Sequence, residues 1–233
     1  MALPKLEVPK YTLTLPSSGD VIEYRPFLVK EEKNLMIAQE TGGEDAMFNA
    51  MIDIIKACTF EQVNTDKLLT YDMEYIFLQI RAKSVGETAE VGLKCEECGE
   101  VNQVEINLTD AYVDNIDNAE TEKTIKINDE VGITLQHVSL DMARRFDGNA
   151  KDLTKTIKLL LKSIYDADGV YLASESSDAE LTTFIESLPH NTLEEVSNFI
   201  QSTPQLVIDV KFKCKKCGHD NVIKLQGIAN FFE

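Results

Sequence analysis

Two Cys-x-x-Cys-Gly segments, far apart in the sequence, constrain the fold of this chain more than any other feature. The first turn spans residues 95–99 and the second turn spans residues 214–218. A gap of two residues lets both sulfurs of one turn bind the same ion at about 2.3 Å, and a glycine supplies the positive φ that a tight turn needs. Two such turns complete a tetrahedral four-thiolate site, so the sequence predicts one structural zinc per chain. The predicted ligands are Cys95, Cys98, Cys214 and Cys217.

Segments that alternate between apolar and polar residues flank both turns. Residues 91–94 and 101–106 flank the first turn, and residues 210–213 and 222–225 flank the second. This period of two predicts a β-hairpin around each cysteine pair. The pair of hairpins is similar to the two knuckles of a zinc ribbon, with the residues between them forming an inserted subdomain.

Disulfide bonds and thiols that merely pack are the alternatives to a metal site. Disulfides require an oxidising compartment, and a bond within one Cys-x-x-Cys is mainly a feature of redox enzymes. A catalytic zinc is disfavoured because four thiolates leave no open position for water. His219 could replace one thiolate, but an exposed turn histidine is the favoured interpretation. The fifth cysteine, Cys58, lies on the apolar stripe of a predicted helix and is expected to be buried.

The sequence predicts an α+β fold in three parts. Residues 1–84 form a β-hairpin and three helices, and residues 85–137 with 205–233 form a zinc-ribbon-like β unit. Residues 138–204 form an inserted helical subdomain, and residues 109–123 within the β unit are expected to be a solvated connector.

One helix of this insertion is predicted from residue 152 to residue 165. Its lysines form a line on one side, which is either a docking face for an acidic partner or, as we favour, a solvated face.

The net charge of −17 narrows the range of partners. So acidic a chain is repelled by nucleic acid, which disfavours the second hypothesis, a zinc-ribbon module of nucleic-acid machinery. The sequence has no run of eighteen apolar residues and no signal segment, so we expect an intracellular protein without a membrane partner. The first turn carries Glu96 and Glu97, whereas the second carries Lys215 and Lys216, so opposite charges would meet at the metal.

Motifs for catalysis are absent from the sequence. We find no phosphate-binding glycine loop, no G-x-S-x-G, no H-E-x-x-H and no dinucleotide fingerprint. The three histidines are scattered, and the carboxylates follow solvent faces and caps. We therefore expect neither an enzyme nor a small-molecule substrate; a thiol redox enzyme would require an exposed cysteine of low pKa in one pair.

The end of the sequence is unusually apolar. Ile228, Phe231 and Phe232 lie beyond the second hairpin, and a short tail rarely buries two phenylalanine rings in its own domain. These residues form either a tail that docks on a partner or a tail that folds back onto the core.

Two longer stretches of the sequence carry a resemblance to a known family. Residues 24–33 (YRPFLVKEEK) and residues 214–232, from CKKCG to LQGIANFF, resemble the baseplate hub proteins of T-even-type contractile-tailed bacteriophages. The order of the predicted elements is similar over nearly the whole chain. This resemblance implies that the protein binds phage baseplate hub proteins, in the host cytoplasm during assembly, as an assembly factor or as a subunit retained in the tail baseplate. It carries over no catalytic residue.

Overall fold

The computed structural model of this protein describes residues 6–41, 44–116, 121–145 and 152–228. The chain divides into two compact units. The first unit combines Met1–Asp114 with Gln205–Glu233, and the second unit is Asn115–Pro204. The first unit is therefore built from two chain segments that are far apart in sequence.

The first unit contains two hairpins, three helices and a three-stranded sheet. Its elements are β1 (Tyr11–Thr14), β2 (Val21–Tyr24), α1 (Val29–Thr41), α2 (Glu44–Cys58), α3 (Thr70–Ser84), β3 (Thr88–Lys94), β4 (Val101–Asn107), β5 (Tyr112–Asp114), β10 (Gln205–Lys213) and β11 (Asp220–Gln226). The helices α2 and α3 provide six of its fully buried side chains, since apolar residues recur along them at helical spacing. These residues are Ile52, Ile54, Ile55, Ile76, Leu78 and Ile80.

The hairpin β1–β2 and the helices α1, α2 and α3 lie where the sequence predicts a hairpin and three helices. Cys58 ends α2, and its side chain is completely buried, as expected. Burial raises the pKa of the Cys58 thiol to about 11. This cysteine is therefore a core residue rather than a reactive thiol.

The two cysteine turns each connect an antiparallel hairpin. Strands β3 and β4 form a two-stranded sheet, from Thr88 opposite Asn107 to Lys94 opposite Val101. Strands β10 and β11 pair in the same way, and β5 adds to the other side of β10. Residues 109–123 were predicted to be a solvated connector, which is wrong for β5. Its Val113 is buried opposite Leu206, and that burial accounts for the strand.

The second unit is a four-stranded antiparallel sheet with helices. Its elements are β6 (Glu122–Lys126), β7 (Gly132–Gln136), α4 (Leu140–Arg145), α5 (Leu153–Leu160), β8 (Leu161–Tyr165), β9 (Val170–Leu172), α6 (Asp178–Glu186) and α7 (His190–Ser202). The strand order is β6-β7-β8-β9. The core combines apolar residues of three strands with those of α5, α6 and α7. These residues are Ile125, Ile133, Leu135, Ile157, Leu160, Leu161, Leu181, Ile185, Val196 and Phe199.

Residues 138–204, predicted to be a helical insertion, contain the helices α4 to α7 but also contribute the strands β8 and β9 to the sheet. The helix predicted over residues 152–165 ends at Leu160, and the chain continues directly as β8. The apolar residues at 160, 161 and 164 fit a helical stripe, but they also fit a strand whose Ile164 lies opposite Ile133 of β7. Pairing with a strand distant in sequence decides the outcome, and this cannot be deduced from local periodicity.

Strands β6 and β7 are grouped differently from the expectation. Residues 85–137 are expected from the sequence to group with the C-terminal hairpin, whereas β7 pairs with β6 on one side and β8 on the other. This pairing joins both strands to the second unit. Residues 1–84 lie in one compact unit with the two cysteine hairpins.

Candidate metal centre

The four predicted ligand cysteines come together in the first unit. Their Sγ atoms all lie within 4.8 Å of one another. The Sγ atoms of Cys95 and Cys217 are 3.6 Å apart, and those of Cys98 and Cys214 are 3.7 Å apart. A tetrahedral ion with metal–sulfur distances of about 2.3 Å requires sulfur–sulfur edges of about 3.8 Å. All four thiols are free, and the distances exceed the roughly 2.05 Å of a disulfide bond.

The two turns have the same hydrogen bonds. In the first turn, the N–H of Cys95 donates to the Glu100 carbonyl at 2.8 Å, and the N–H of Gly99 donates to the Cys95 carbonyl at 2.9 Å. The corresponding bonds at Cys214 and Gly218 measure 2.8 and 3.0 Å. The φ angles of the two glycines are 71° and 76°, in the left-handed region that favours glycine. Sequence repetition thus produces a repeated local structure.

Two buried asparagines that were not among the predicted site residues connect the turns. Asn102 lies on β4, and its Oδ1 accepts from the backbone N–H of Lys215 in the second turn at 2.9 Å. Asn221 lies on β11, and its Oδ1 accepts from the N–H of Glu96 in the first turn at 2.9 Å. A signal was present in the sequence: both turns extend to the longer repeat Cys-x-x-Cys-Gly-x-x-Asn.

Hydrogen-bond donors make the first cysteine of each turn more acidic. The backbone N–H of Cys217, followed by that of Lys216 and the side chain of Asn102, lowers the pKa of Cys214 to about 6. Corresponding donors, led by the N–H of Cys98, lower the pKa of Cys95. For Cys217, the N–H of His219 lowers the pKa, but desolvation and the other three sulfurs outweigh it and raise the pKa to about 12. Four sulfurs this close cannot all ionise alone, whereas a divalent cation would stabilise four thiolates.

The four clustered cysteines differ in their exposure to solvent. Cys95 and Cys214 are buried, while Cys98 and Cys217 are exposed. Lys216 pairs with Glu100 at 2.8 Å between their charged atoms, which connects the two turns by opposite charges. His219 is exposed, and its carbonyl accepts from Cys214 and Asn221.

The cysteine set fits a structural metal ion. Thiolates are soft ligands, and four of them in a tetrahedron fill the coordination shell of zinc. Bound there, the ion would cross-link the β3–β4 hairpin to the β10–β11 hairpin. The chain itself supplies the ligands, the glycine turns and the N–H donors that stabilise thiolates.

The predicted docking residues lie only partly within the described structure. Ile228 is half-buried, and its N–H donates to Oε1 of Glu74 on α3 at 3.4 Å. Phe231 and Phe232 lie outside the described residues. None of the helices that the structure describes has both the length and the apolarity needed to span a bilayer.

Comparison with known proteins identifies the family. The sequence profile described as "T4 bacteriophage base plate protein" matches residues 8–233. Searches among curated proteins and among solved structures gave no significant match. Members of a baseplate family are structural components of the phage tail that interact with other baseplate proteins. The match covers nearly all of both units, and the chain therefore belongs to the T4 bacteriophage base plate protein family.

Proposed function

We propose that this protein is a structural protein of the phage baseplate hub, that it binds other hub proteins, and that a structural zinc joins its two cysteine hairpins. The observation that carries this proposal is the family match, which extends over both units rather than over the cysteine hairpins alone. The protein acts in the host cytoplasm during assembly and then as part of the tail baseplate. Its role is non-enzymatic.

The donor set supports zinc as the ion. Cys-x-x-Cys pairs that supply four sulfurs in a tetrahedral arrangement are typical of structural zinc sites, and iron is the main competitor for four thiolates. The first unit is then a zinc-ribbon-like arrangement with one ion per chain, bound by its four turn cysteines. The ion closes a long loop between the two turns, and the entropic cost of closing a loop increases only logarithmically with its length.

Apolar surface on the first unit supports binding to another protein. Helix α1 leaves Val29, Met36 and Ile37 largely exposed, at 79%, 57% and 45%. Neighbouring exposed apolar side chains are typical of surfaces that become buried in complexes. The tail residues Ile228, Phe231 and Phe232 provide a second apolar segment for docking.

A binding experiment with recombinant hub proteins of the same phage tests the proposal. We expect the full-length chain to form a complex with at least one hub protein, and the deletion of residues 228–233 to weaken it. The variant Val29→Ser/Met36→Ser distinguishes docking through α1 from docking through the tail, because it leaves the tail unchanged. Unchanged binding after the deletion would exclude the tail, and binding only to non-hub baseplate proteins would refute the hub assignment.

The nucleic-acid alternative is tested with the same protein. A gel-shift titration should show no salt-sensitive micromolar binding of DNA or RNA, because the net charge of −17 repels phosphates. Such binding would support a zinc-ribbon module of nucleic-acid machinery instead.

A further inference from the structure

We propose that Asn102 and Asn221 are positioning residues of the metal centre, which hold the two cysteine turns in register, and that Asn102 also stabilises the thiolate of Cys214 on the opposite hairpin. The effect of these residues on metal binding rests on the proposed metal site, but the hydrogen bonds of the two asparagines exist without an ion. No ligand role is assigned to either asparagine.

Each asparagine side chain joins its own turn to the other turn. The Nδ2 of Asn102 donates to the carbonyl of Glu100 in its own hairpin at 2.9 Å, while its Oδ1 accepts from the N–H of Lys215. The Nδ2 of Asn221 donates to the carbonyl of His219 at 3.1 Å, while its Oδ1 accepts from the N–H of Glu96. The two bridges are reciprocal, so neither hairpin can rotate without breaking both.

Asn102 also contacts a sulfur across the junction, since its Nδ2 lies 3.7 Å from Sγ of Cys214. Cys214 is one of the two buried members of the four-sulfur cluster, which have less access to water than Cys98 and Cys217. A donor directed at a buried thiolate stabilises its charge.

Asparagine is the side chain that satisfies all of these partners at once. Asn102 and Asn221 are 3% and 1% exposed, so their polar atoms need partners within the protein. Aspartate would keep the acceptor for the turn N–H but would lose the donor and place a negative charge beside a thiolate. Alanine would leave the turn N–H without its acceptor and would remove one of the two donors to the turn carbonyl, which keeps its bond from the first cysteine N–H.

Hydrogen-bonded residues around metal ligands typically change metal affinity by about 10–100-fold when they are mutated. We therefore expect Asn102→Asp and Asn221→Asp each to lower zinc affinity by about this factor, measured by competition with a chromogenic chelator. With cobalt in place of zinc, the sulfur-to-cobalt charge-transfer band of Asn102→Asp should move to lower energy, because the Cys214 thiolate loses a donor. The matched control is Gln103→Glu, which adds the same charge at an exposed position of the same strand. Zinc affinities of the two aspartate variants equal to that of Gln103→Glu would overturn the inference.

The metal-free protein gives a second, independent test. In Asn102→Ala, the amide of Lys215 should exchange with solvent faster while the amide of Glu96 remains protected, and Asn221→Ala should give the reverse pattern. The aspartate variants should keep both amides protected, because they retain the acceptor. Effects confined to the mutated residue's own turn, or no effect, would refute the positioning role.

The two experiments separate the two proposals. A wild-type protein that binds no metal but shows the crossed exchange pattern would refute the structural zinc and support the asparagine bridges. If the Asn102 and Asn221 variants bind zinc as tightly as the wild type, the structural zinc is supported and the positioning role of the asparagines is refuted. If an alanine variant does not fold, the aspartate variants still decide through their zinc affinities.

Discussion

The two units of this protein are stabilised in different ways. In the first unit, the hairpins β3–β4 and β10–β11 belong to separate sheets and meet at four sulfurs and two asparagine side chains. In the second unit, one continuous sheet is packed against helices through a cluster of buried apolar residues. The comparison indicates that the join between the two cysteine hairpins depends on a few specific contacts, whereas the second unit depends on the total area that it buries.

Removal of the proposed zinc should have the largest effect, and only on the first unit. Structural zinc in small peptides contributes roughly 10–16 kcal/mol of apparent binding free energy, so its loss exceeds the cost of an ordinary mutation. We expect Cys95→Ser/Cys214→Ser to increase amide exchange throughout the two cysteine hairpins. Exchange in β6, β7 and β8 should remain at its wild-type rate.

The matched control for this variant is Cys58→Ala. It removes a thiol from the same unit but should leave the metal content unchanged, since Cys58 is not among the clustered sulfurs. Equal loss of protection in both units after removal of the metal ligands would refute the division between them.

Truncation of Phe199 should give the reverse result. Phe199 is 2% exposed within the apolar cluster of the second unit, and replacing such a residue with alanine typically costs about 3–5 kcal/mol. Denaturant unfolding followed by amide exchange should locate this loss in the second unit, with zinc affinity unchanged. The exposed Val170→Ala is the control in the same unit and should change the free energy of unfolding by less than about 0.5 kcal/mol. A fall in zinc affinity for Phe199→Ala would show that the units are not independent.

Gly132 tests the close packing of the sheet in the second unit. A Cβ at this position would lie 2.2 Å from the hydroxyl of Tyr165, which is its cross-strand partner on β8. The ring must therefore move, and overpacking of this kind costs about 1–3 kcal/mol. Gly169→Ala is the matched control, because no atom lies within 4 Å of its added Cβ. Thermal unfolding in which Gly169→Ala destabilises the protein as much as Gly132→Ala would contradict this explanation.

The ion pair between the turns should have the smallest effect. Lys216 and Glu100 are both well exposed, and such pairs contribute about 0–1 kcal/mol. A double-mutant cycle with Lys216→Ala and Glu100→Ala should give a coupling energy below about 1 kcal/mol that decreases further at high salt. A larger, salt-independent coupling would mean that charge, rather than the sulfurs and asparagines, joins the hairpins.

The sequence was sufficient where the determining contacts are local. The spacing within each Cys-x-x-Cys-Gly and the alternation of the flanking residues correctly predicted two hairpins, and the hypothesis of a shared metal correctly predicted that the two distant turns meet. The helices α2 and α3 followed from their apolar stripes for the same reason.

The sequence was insufficient where the partner is distant. Strand β8 could not be distinguished from the end of a helix, because its pairing with β7 is a tertiary interaction. The sequence of β5 is typical of a solvated connector, and its strand conformation depends on pairing with β10, which is distant in sequence. Asn102 and Asn221 were missed because an asparagine near a turn usually forms local hydrogen bonds, and only the structure shows that theirs cross between hairpins.

The most direct test is the metal content of the reduced, freshly purified protein. Elemental analysis should find one zinc per chain in the wild type and in Cys58→Ala, and far less in Cys95→Ser/Cys214→Ser. A wild-type chain that contains no metal, yet keeps both cysteine hairpins protected from exchange, would contradict the proposed zinc cross-link.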